Sequence, residues 1–440
     1  MTSPRHSQRS ILTFWGPLAA TWLMMAAEGP LLAAVIARLP APTDNLAAHG
    51  VAWALAILIE APVMMLMSAA TALVRDRTSY VKLRAFSRGL AGATTGVLLV
   101  LLIPPVYHAL ADDLMGLPSE VSDVTYGALW FFLPWPAAIG YRRFLQGVLI
   151  RSGKTRLVAY GTIIRLLAMA GVALLGYLFL DLPGAWLAAL SLASGVCAEA
   201  LAARLMAAST VRALLAGDLG RGAPRAIRYR EIAEFYAPLA LTSVIGLSVH
   251  PLLTFFMGRG VAPVESLAVF PVVHALSFIF RSIGLAFQDA AIALMGERFD
   301  HLPELRRFGR ALGLATSAGL ALVAFTPLSP LYFVTISGLT ADLAAFAFTP
   351  ALLIVLLPAL TVQLSLQRAI LVQGRQTRQI TIASAIEVGS IAACFLTLGW
   401  GLELVGVTAA FASFLCGRIA SNGYLAWICR DALRGAVRPS

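Results

Sequence analysis

Several ionisable side chains stand inside stretches that are otherwise apolar: Glu28, Glu60, Arg165, Arg281 and Glu387, accompanied by His250, His274 and Gln288. A charged group in hydrocarbon costs about 2.5–3.5 kcal/mol to insert, so each one must be neutralised, hydrated or used. A carboxylate in that setting can hold a cation or exchange a proton, and a guanidinium can attract an anion. His274, Arg281 and Gln288 recur every seven residues, two helical turns, and therefore share one helix face. Such a stripe suits an anion; Asp289 is one residue off it. Pro30 and Pro251 each remove a backbone donor and disfavour helix at the residue before. Glu28 sits two residues ahead of the first proline and His250 immediately ahead of the second. Backbone broken in this way is tolerated where it lines a cavity.

The elements that must carry these residues are organised as a repeat. Residues 14–77 match residues 235–298 at an offset of 221 with no gap, 21 of 64 positions being identical. Phe14, Pro17, Leu18, Pro30 and Arg38 fall on Phe235, Pro238, Leu239, Pro251 and Arg259. Further on, Leu145-Gln146 falls on Leu366-Gln367 at the same offset, and Thr155-Arg156 falls on Thr377-Arg378 at 222. On this alignment Glu60 is equivalent to Arg281, and Arg165 to Glu387. Opposite charges thus occupy equivalent places in the two copies. Pairing within each copy, Glu60 with Arg165 and Arg281 with Glu387, accounts for all four at once, because buried charges are normally paired. The alternative is a Glu60–Arg281 gate between copies.

Composition sets the solvent. Apolar residues make up 59% of the chain and charged residues 12%, against roughly 25% charged in a soluble domain. Twelve stretches are long enough to cross about 30 Å of hydrocarbon as helices: 11–38, 46–73, 88–111, 124–149, 157–180 and 184–208, then 233–257, 263–295, 308–335, 343–371, 379–400 and 402–429. The fold class is an all-α integral membrane protein of two homologous six-helix lobes, 1–208 and 231–440, joined by a linker at 209–230. Six being even, the copies are parallel repeats, a plan of transporters with a midplane site. Cations gather in the even-numbered links, which places both termini in the cytoplasm. That bias accounts for the net charge of +11 as topology and contact with anionic lipid, without nucleic acid. The near-exclusive use of Arg over Lys, with abundant Ala, points to a GC-rich bacterial source and hence an inner membrane. Cys197, Cys394, Cys416 and Cys429 show no metal or disulfide spacing. No phosphate loop, HExxH or GxSxG occurs, so neither an enzyme nor a cofactor or metal is expected. Glu199 is an outlier whose nearest cation in sequence is Arg204.

Phe144–Thr155, which reads FLQGVLIRSGKT, resembles the motif joining helix 4 to its following loop in the MOP superfamily of MATE exporters, lipid-linked oligosaccharide flippases and progressive ankylosis proteins. The Phe-x-x-Pro-Leu-Ala opening of each copy resembles the progressive ankylosis branch. The resemblance implies a monomeric alternating-access transporter exporting a small organic or phosphate-bearing anion. The alternatives are a MATE-like antiporter for amphipathic organic cations, drawn by Glu28 and Glu60, or a flippase of a lipid-linked substrate. One departure is plain: where MATE exporters carry an Asp in helix 1, the copies here have Leu32 and Leu253, which can neither bind a cation nor relay a proton.

Overall fold

The computed structural model describes residues 7–216, 227–296, 299–374 and 376–437. Residues 217–226 of the sequence-defined linker therefore lie outside the described residues, as do Arg298 and Arg375. The described chain is helical almost throughout, and its elements repeat. α1 (Gln8–Ala26) and α2 (Glu28–Ile36) are followed by α3 (Pro42–Glu60), a 3-10 turn at Ala61–Val63 and α4 (Leu66–Leu73). α5 (Arg77–Leu101) leads through the short α6 (Pro104–His108) and a π-helical turn, Ala109–Leu114, to α7 (Ser119–Phe131), α8 (Trp135–Arg151), α9 (Thr155–Phe179) and α10 (Gly184–Ala216). The second copy has α11 (Tyr229–Leu247), α12 (Val249–Gly258), an uninterrupted α13 (Pro263–Leu294), α14 (Leu302–Phe325), the short α15 (Leu328–Pro330) and a π-helical turn, Leu331–Ile336. α16 (Ala341–Leu353), α17 (Leu357–Gln373), α18 (Thr377–Phe395) and α19 (Gly406–Val437) complete it.

Local chemistry explains the boundaries. α1 stops at Ala26 and α2 restarts at Glu28, and α11 and α12 are divided at Ser248, because Pro30 and Pro251 cannot donate to the preceding turn. α3 and α13 both start with Pro at the first helical position, where no donor is missed. Each follows an alanine in the left-handed region, Ala41 at φ 49° and Ala262 at φ 51°. The break after Glu60 has its own cause: Pro62 stands there, whereas the equivalent of Pro62 is Ile283 and α13 runs through.

The starts of α1, α2 and α3 recur 221 residues later, and those of α7, α8, α9 and α10 recur 222 later. The extra residue therefore enters before α7, not after α8 as the Leu-Gln match implies. Burial agrees, since Trp135, Pro136, Ile139, Gly140 and Arg142 are buried on α8 and Leu357, Pro358, Thr361, Val362 and Leu364 on α17.

Two compact units emerge, and their borders are not those of the sequence repeat. One spans residues 39–254; the other joins residues 1–38 to 255–440. The first helix of each copy has moved into the bundle of the other. Ile232 of α11 packs in a core with Val148 and Ala203, and Tyr236 donates its hydroxyl hydrogen bond to the carbonyl of Pro62. Ile11, the repeat equivalent of Ile232, packs with Phe287, Leu305 and Val362, and Trp15 donates to the carbonyl of Ile283 at 3.4 Å.

The surface is that of a membrane protein. Leu167 is 69% exposed, Phe179 77% and Leu314 72%, while Arg142, Arg165 and Glu199 are buried. Water would favour the reverse. Among the described residues nine helices are long and apolar enough to cross a membrane, or ten if α5 and the α6 turn, bent by 81°, form one crossing. The twelve read from the sequence are not established by that measure. The expected span 124–149 is split by Pro134 and Pro136 into α7 and α8, and α19 carries Arg418 and Asn422 in its interior.

Within each unit one helix pair approaches closely through glycine. A Cβ on Gly195 of α10 would lie 2.9 Å from the Arg165 carbonyl oxygen, and one on Gly417 of α19 would lie 2.7 Å from that of Glu387. Both glycines, and both residues they touch, are repeat equivalents at 222. Gly195→Ala and Gly417→Ala are predicted to destabilise by about 1–3 kcal/mol, the usual cost of overpacking. Gly96→Ala, inside α5 with open space around it, should not lower the melting temperature of the detergent-solubilised protein, since alanine is the better helix former. Equal melting of all three variants would contradict the close packing.

Candidate functional site

The unit of residues 39–254 holds a buried cluster of five charges. Glu199 of α10 is fully buried and receives Arg142 Nη1 of α8, Gln146 Nε2 at 2.9 Å and, at 3.5 Å, Arg165 Nε of α9. Glu60, at the end of α3, accepts a hydrogen bond from the indole N–H of Trp135 and feels the fields of Arg142, Arg143 and Arg165. Trp135 is itself wedged edge-on against Trp53 and Phe132, with ring centroids 5.6 and 5.4 Å away. Three helices thus meet on one carboxylate, and a π-rich wall fixes the second.

This differs from the expected pairing. Arg165 is held by Glu199, and Glu60 enters the same cluster through Trp135 and the shared arginines. Glu199 is the centre of the cluster, and not an outlier: its partners are Arg142 and Arg165, while Arg204 is exposed and donates to the Tyr141 hydroxyl at 3.0 Å. Arg142 and Arg143 sit inside α8, well before its end at Arg151.

The other unit, residues 1–38 and 255–440, has a second cluster. Arg418 Nη2 of α19 is 2.9 Å from Glu387 Oε1 of α18. Arg281 of α13 feels both Glu387 and Arg418, and so does Arg368 of α17. The Arg281 and Arg418 guanidiniums lie 4.8 and 5.4 Å from the Phe414 ring centroid, a cation–π contact that offsets part of their desolvation. Arg281 and Glu387 are therefore in one cluster as expected of the pair, but the direct ion pair belongs to Arg418. Arg281 Nε and Nη1 are buried without a protein hydrogen-bond partner among the described residues. Arg368 and Arg418 went unremarked in the sequence because α17 and α19 read as plain apolar spans.

The remaining candidates are spread along α2, α12 and α13. Glu28 opens α2 and is half-buried. Its neighbour Gly29 faces Ala275 so closely that a Cβ would sit 3.1 Å from the alanine methyl, which sets the helix break beside His274. His274 is layered between Phe270 and Phe278, with centroids 6.0 and 6.1 Å away. Gln288 is half-buried and makes no side-chain hydrogen bond among the described residues, and Asp289 is exposed. Of the seven-residue stripe, Arg281 joins the second charge cluster. His250 is the second residue of α12, where its carbonyl accepts from the Thr254 hydroxyl at 2.9 Å. Leu32 and Leu253 are buried apolar contacts.

No family model matches the chain, and no curated protein is similar to it in sequence. Solved structures are. A multidrug resistance MATE family transporter of the MOP superfamily, in an inward-facing conformation, aligns with a TM-score of 0.70 at 14% identity, over 94% of this chain and 95% of that one. The lipid II flippase MurJ, in an inward closed conformation, aligns with a TM-score of 0.72 at 12% identity, over 96% of this chain and 89% of that one. A MATE transporter of Vibrio cholerae aligns with a TM-score of 0.64 at 14% identity, over 97% of each chain. The fold is that of these membrane transporters.

Neutralising Glu199 should cost far more than neutralising a surface acid. Glu199→Gln leaves Arg142 and Arg165 buried without their carboxylate, a loss of about 3–5 kcal/mol for a broken buried pair. The yield of monodisperse protein and its melting temperature should both fall, and adding Arg142→Gln should recover part of each. Normal yield and melting for Glu199→Gln would remove the cluster's structural role.

Proposed function

We propose that this chain is an alternating-access transporter that moves an anion, small and organic or phosphate-bearing, out across a bacterial inner membrane with both termini cytoplasmic. The observation that carries this reading is the cationic excess of the buried clusters. Arg281, Arg368 and Arg418 share Glu387, an excess of two positive charges; Arg142, Arg143 and Arg165 share Glu60 and Glu199, an excess of one. Buried guanidiniums with unfilled donors, such as Arg281 Nε and Nη1, are costly unless an anion or water reaches them. A unit anion about 4 Å from one guanidinium gains about 4 kcal/mol at an effective dielectric of about 20, and an organic cation loses as much. The family pattern of the two Phe-x-x-Pro-Leu-Ala openings supports the same charge preference, through its resemblance to the progressive ankylosis branch.

The fold likeness to MurJ, named a lipid II flippase, keeps a phosphate anion carried on a lipid within this reading. Export of organic cations, as the MATE likeness suggests, fits less well. Glu60 is already screened by three arginines, and the helix 1 position expected to hold an acid is Leu32. That leaves Glu28 as the acid such a mechanism would have to use.

Reconstitution into liposomes tests the charge preference. Wild type is expected to carry organic phosphates and to exclude a cationic dye. Arg281→Gln should slow anion transport at least tenfold, about 1.4 kcal/mol or more, while melting within a few degrees of wild type. A dye carried by wild type and lost specifically in Glu28→Gln would replace the anion reading with the multidrug one.

A further inference from the structure

Apart from the buried clusters, each unit has a groove rich in arginine, and the two grooves are repeat equivalents. In the unit of residues 39–254 a cavity of about 320 Å³ opens between α5, α8 and α10. In the other unit one of about 590 Å³ opens between α14, α17 and α19. Arg84 and Arg88 line the first, and Arg306 and Arg310 line the second. The offset is 222 for both pairs, the same offset that relates the helices around them. Each pair is spaced i, i+4, so its members project from one face a turn apart. Like charges at that spacing repel by a few tenths of a kcal/mol, and their recurrence at both places asks for an anion to relieve it.

Further cations converge on the same spaces. Arg204 and Arg212 enter the first groove from α10, and Arg430 enters the second from α19. No Asp or Glu lines either groove, and none of the four paired arginines has an ion-pair partner among the described residues. Two guanidiniums of the first groove are steadied by aromatic residues: Arg204 on the Tyr141 hydroxyl at 3.0 Å, and Arg84 at 5.5 Å from the Tyr80 ring centroid. The rest of each lining is apolar and faces outward. Leu205 is 68% exposed in the first groove and Leu314 72% in the second, as suits contact with acyl chains.

We propose that these two grooves are headgroup sites for anionic phospholipid, with the guanidiniums on the phosphate and the acyl chains along the exposed leucines. Arginine suits this task because its planar fork of donors meets phosphate oxygens in pairs. A basic pocket between membrane helices is the expected form of such a site. The grooves are separate from the buried clusters, so the assignment does not depend on what the protein transports.

Native mass spectrometry of the full-length protein, delipidated in neutral detergent, tests it. Phosphatidylglycerol, phosphatidylcholine and inorganic phosphate are titrated in turn. Wild type should retain two phosphatidylglycerols in preference to phosphatidylcholine. Arg84→Gln with Arg88→Gln, or Arg306→Gln with Arg310→Gln, should each weaken one of them roughly thirtyfold. That is two cationic contacts at about 1 kcal/mol apiece, with 1.4 kcal/mol per tenfold. The fourfold variant should lose both lipids, the corresponding Arg→Lys set should keep most of the binding, and the exposed Arg151→Gln, outside both grooves, should change nothing. Equal retention of phosphatidylcholine, or full retention of phosphatidylglycerol by the fourfold variant, would overturn the proposal. Saturation by inorganic phosphate at the same concentration would overturn the lipid assignment and leave free phosphate as the ligand.

Discussion

A carboxylate with no access to water, Glu199, holds three helices together. It is fully buried and receives Arg142 and Gln146 from α8 and Arg165 from α9, while it sits on α10. In a bilayer none of these groups can turn to solvent, so separating the helices would strand two guanidiniums and a carboxylate in a low dielectric. The constraint propagates outward. Gly195 lets α10 descend onto the backbone of Arg165, which is the approach that brings Glu199 within reach of the α9 cation. Trp135 fixes Glu60 from the start of α8, so the same helix that supplies two arginines also positions the second acid. The packing between these helices is therefore subordinate to charge neutralisation.

The second copy solves the same problem with different residues. Its acid is on α18, at the place of Arg165, and its principal cation is on α19, one residue beyond Gly417, the equivalent of Gly195. Close approach at a glycine is kept while acid and base change places. Charge sign at a given repeat position is thus free to vary, provided that the helix pair α9–α10 or α18–α19 retains one acid facing one arginine. What is not free is the glycine contact, since any side chain there would meet a carbonyl oxygen.

The architecture was legible in the sequence to the extent that it is written in identities and prolines. The 221-residue repeat, the breaks near Pro30 and Pro251 and the apolar spans are all local or periodic signals. The partners of the buried charges were not legible, for physical reasons. Arg142 and Arg143 stand close in sequence to the basic stretch 151–156, and nothing local to α8 marks them as members of a buried cluster. Glu199 meets residues 57 and 34 positions away on other helices, and no periodicity within α10 encodes that. The Leu-Gln coincidence at 145 and 366 concealed the added residue, which the helix starts and the burial pattern of α8 and α17 place earlier. The exchange of first helices between units is equally silent. Ile11 and Ile232 are equivalent and equally apolar, and nothing in either copy states which bundle each will enter.

That exchange bears on how the clusters can act. α1 and α2 join residues 255–440, and the chain then leaves at Arg38 for the other unit, while α11 joins residues 39–254 and the chain leaves near Thr254. Each unit is therefore closed by a helix whose sequence partner closes the other, and both crossings follow a proline-broken helix pair. The breaks lie at Ala27 and Ser248, 11 and 6 residues before the crossings. The charge clusters lie on other helices, α3 and α8–α10 in one unit and α13 and α17–α19 in the other. The proline breaks therefore carry none of the clustered arginines or their acids. The energetically expensive groups are thus kept off the broken helix pairs, which carry Glu28 and His250, side chains that are only half-buried.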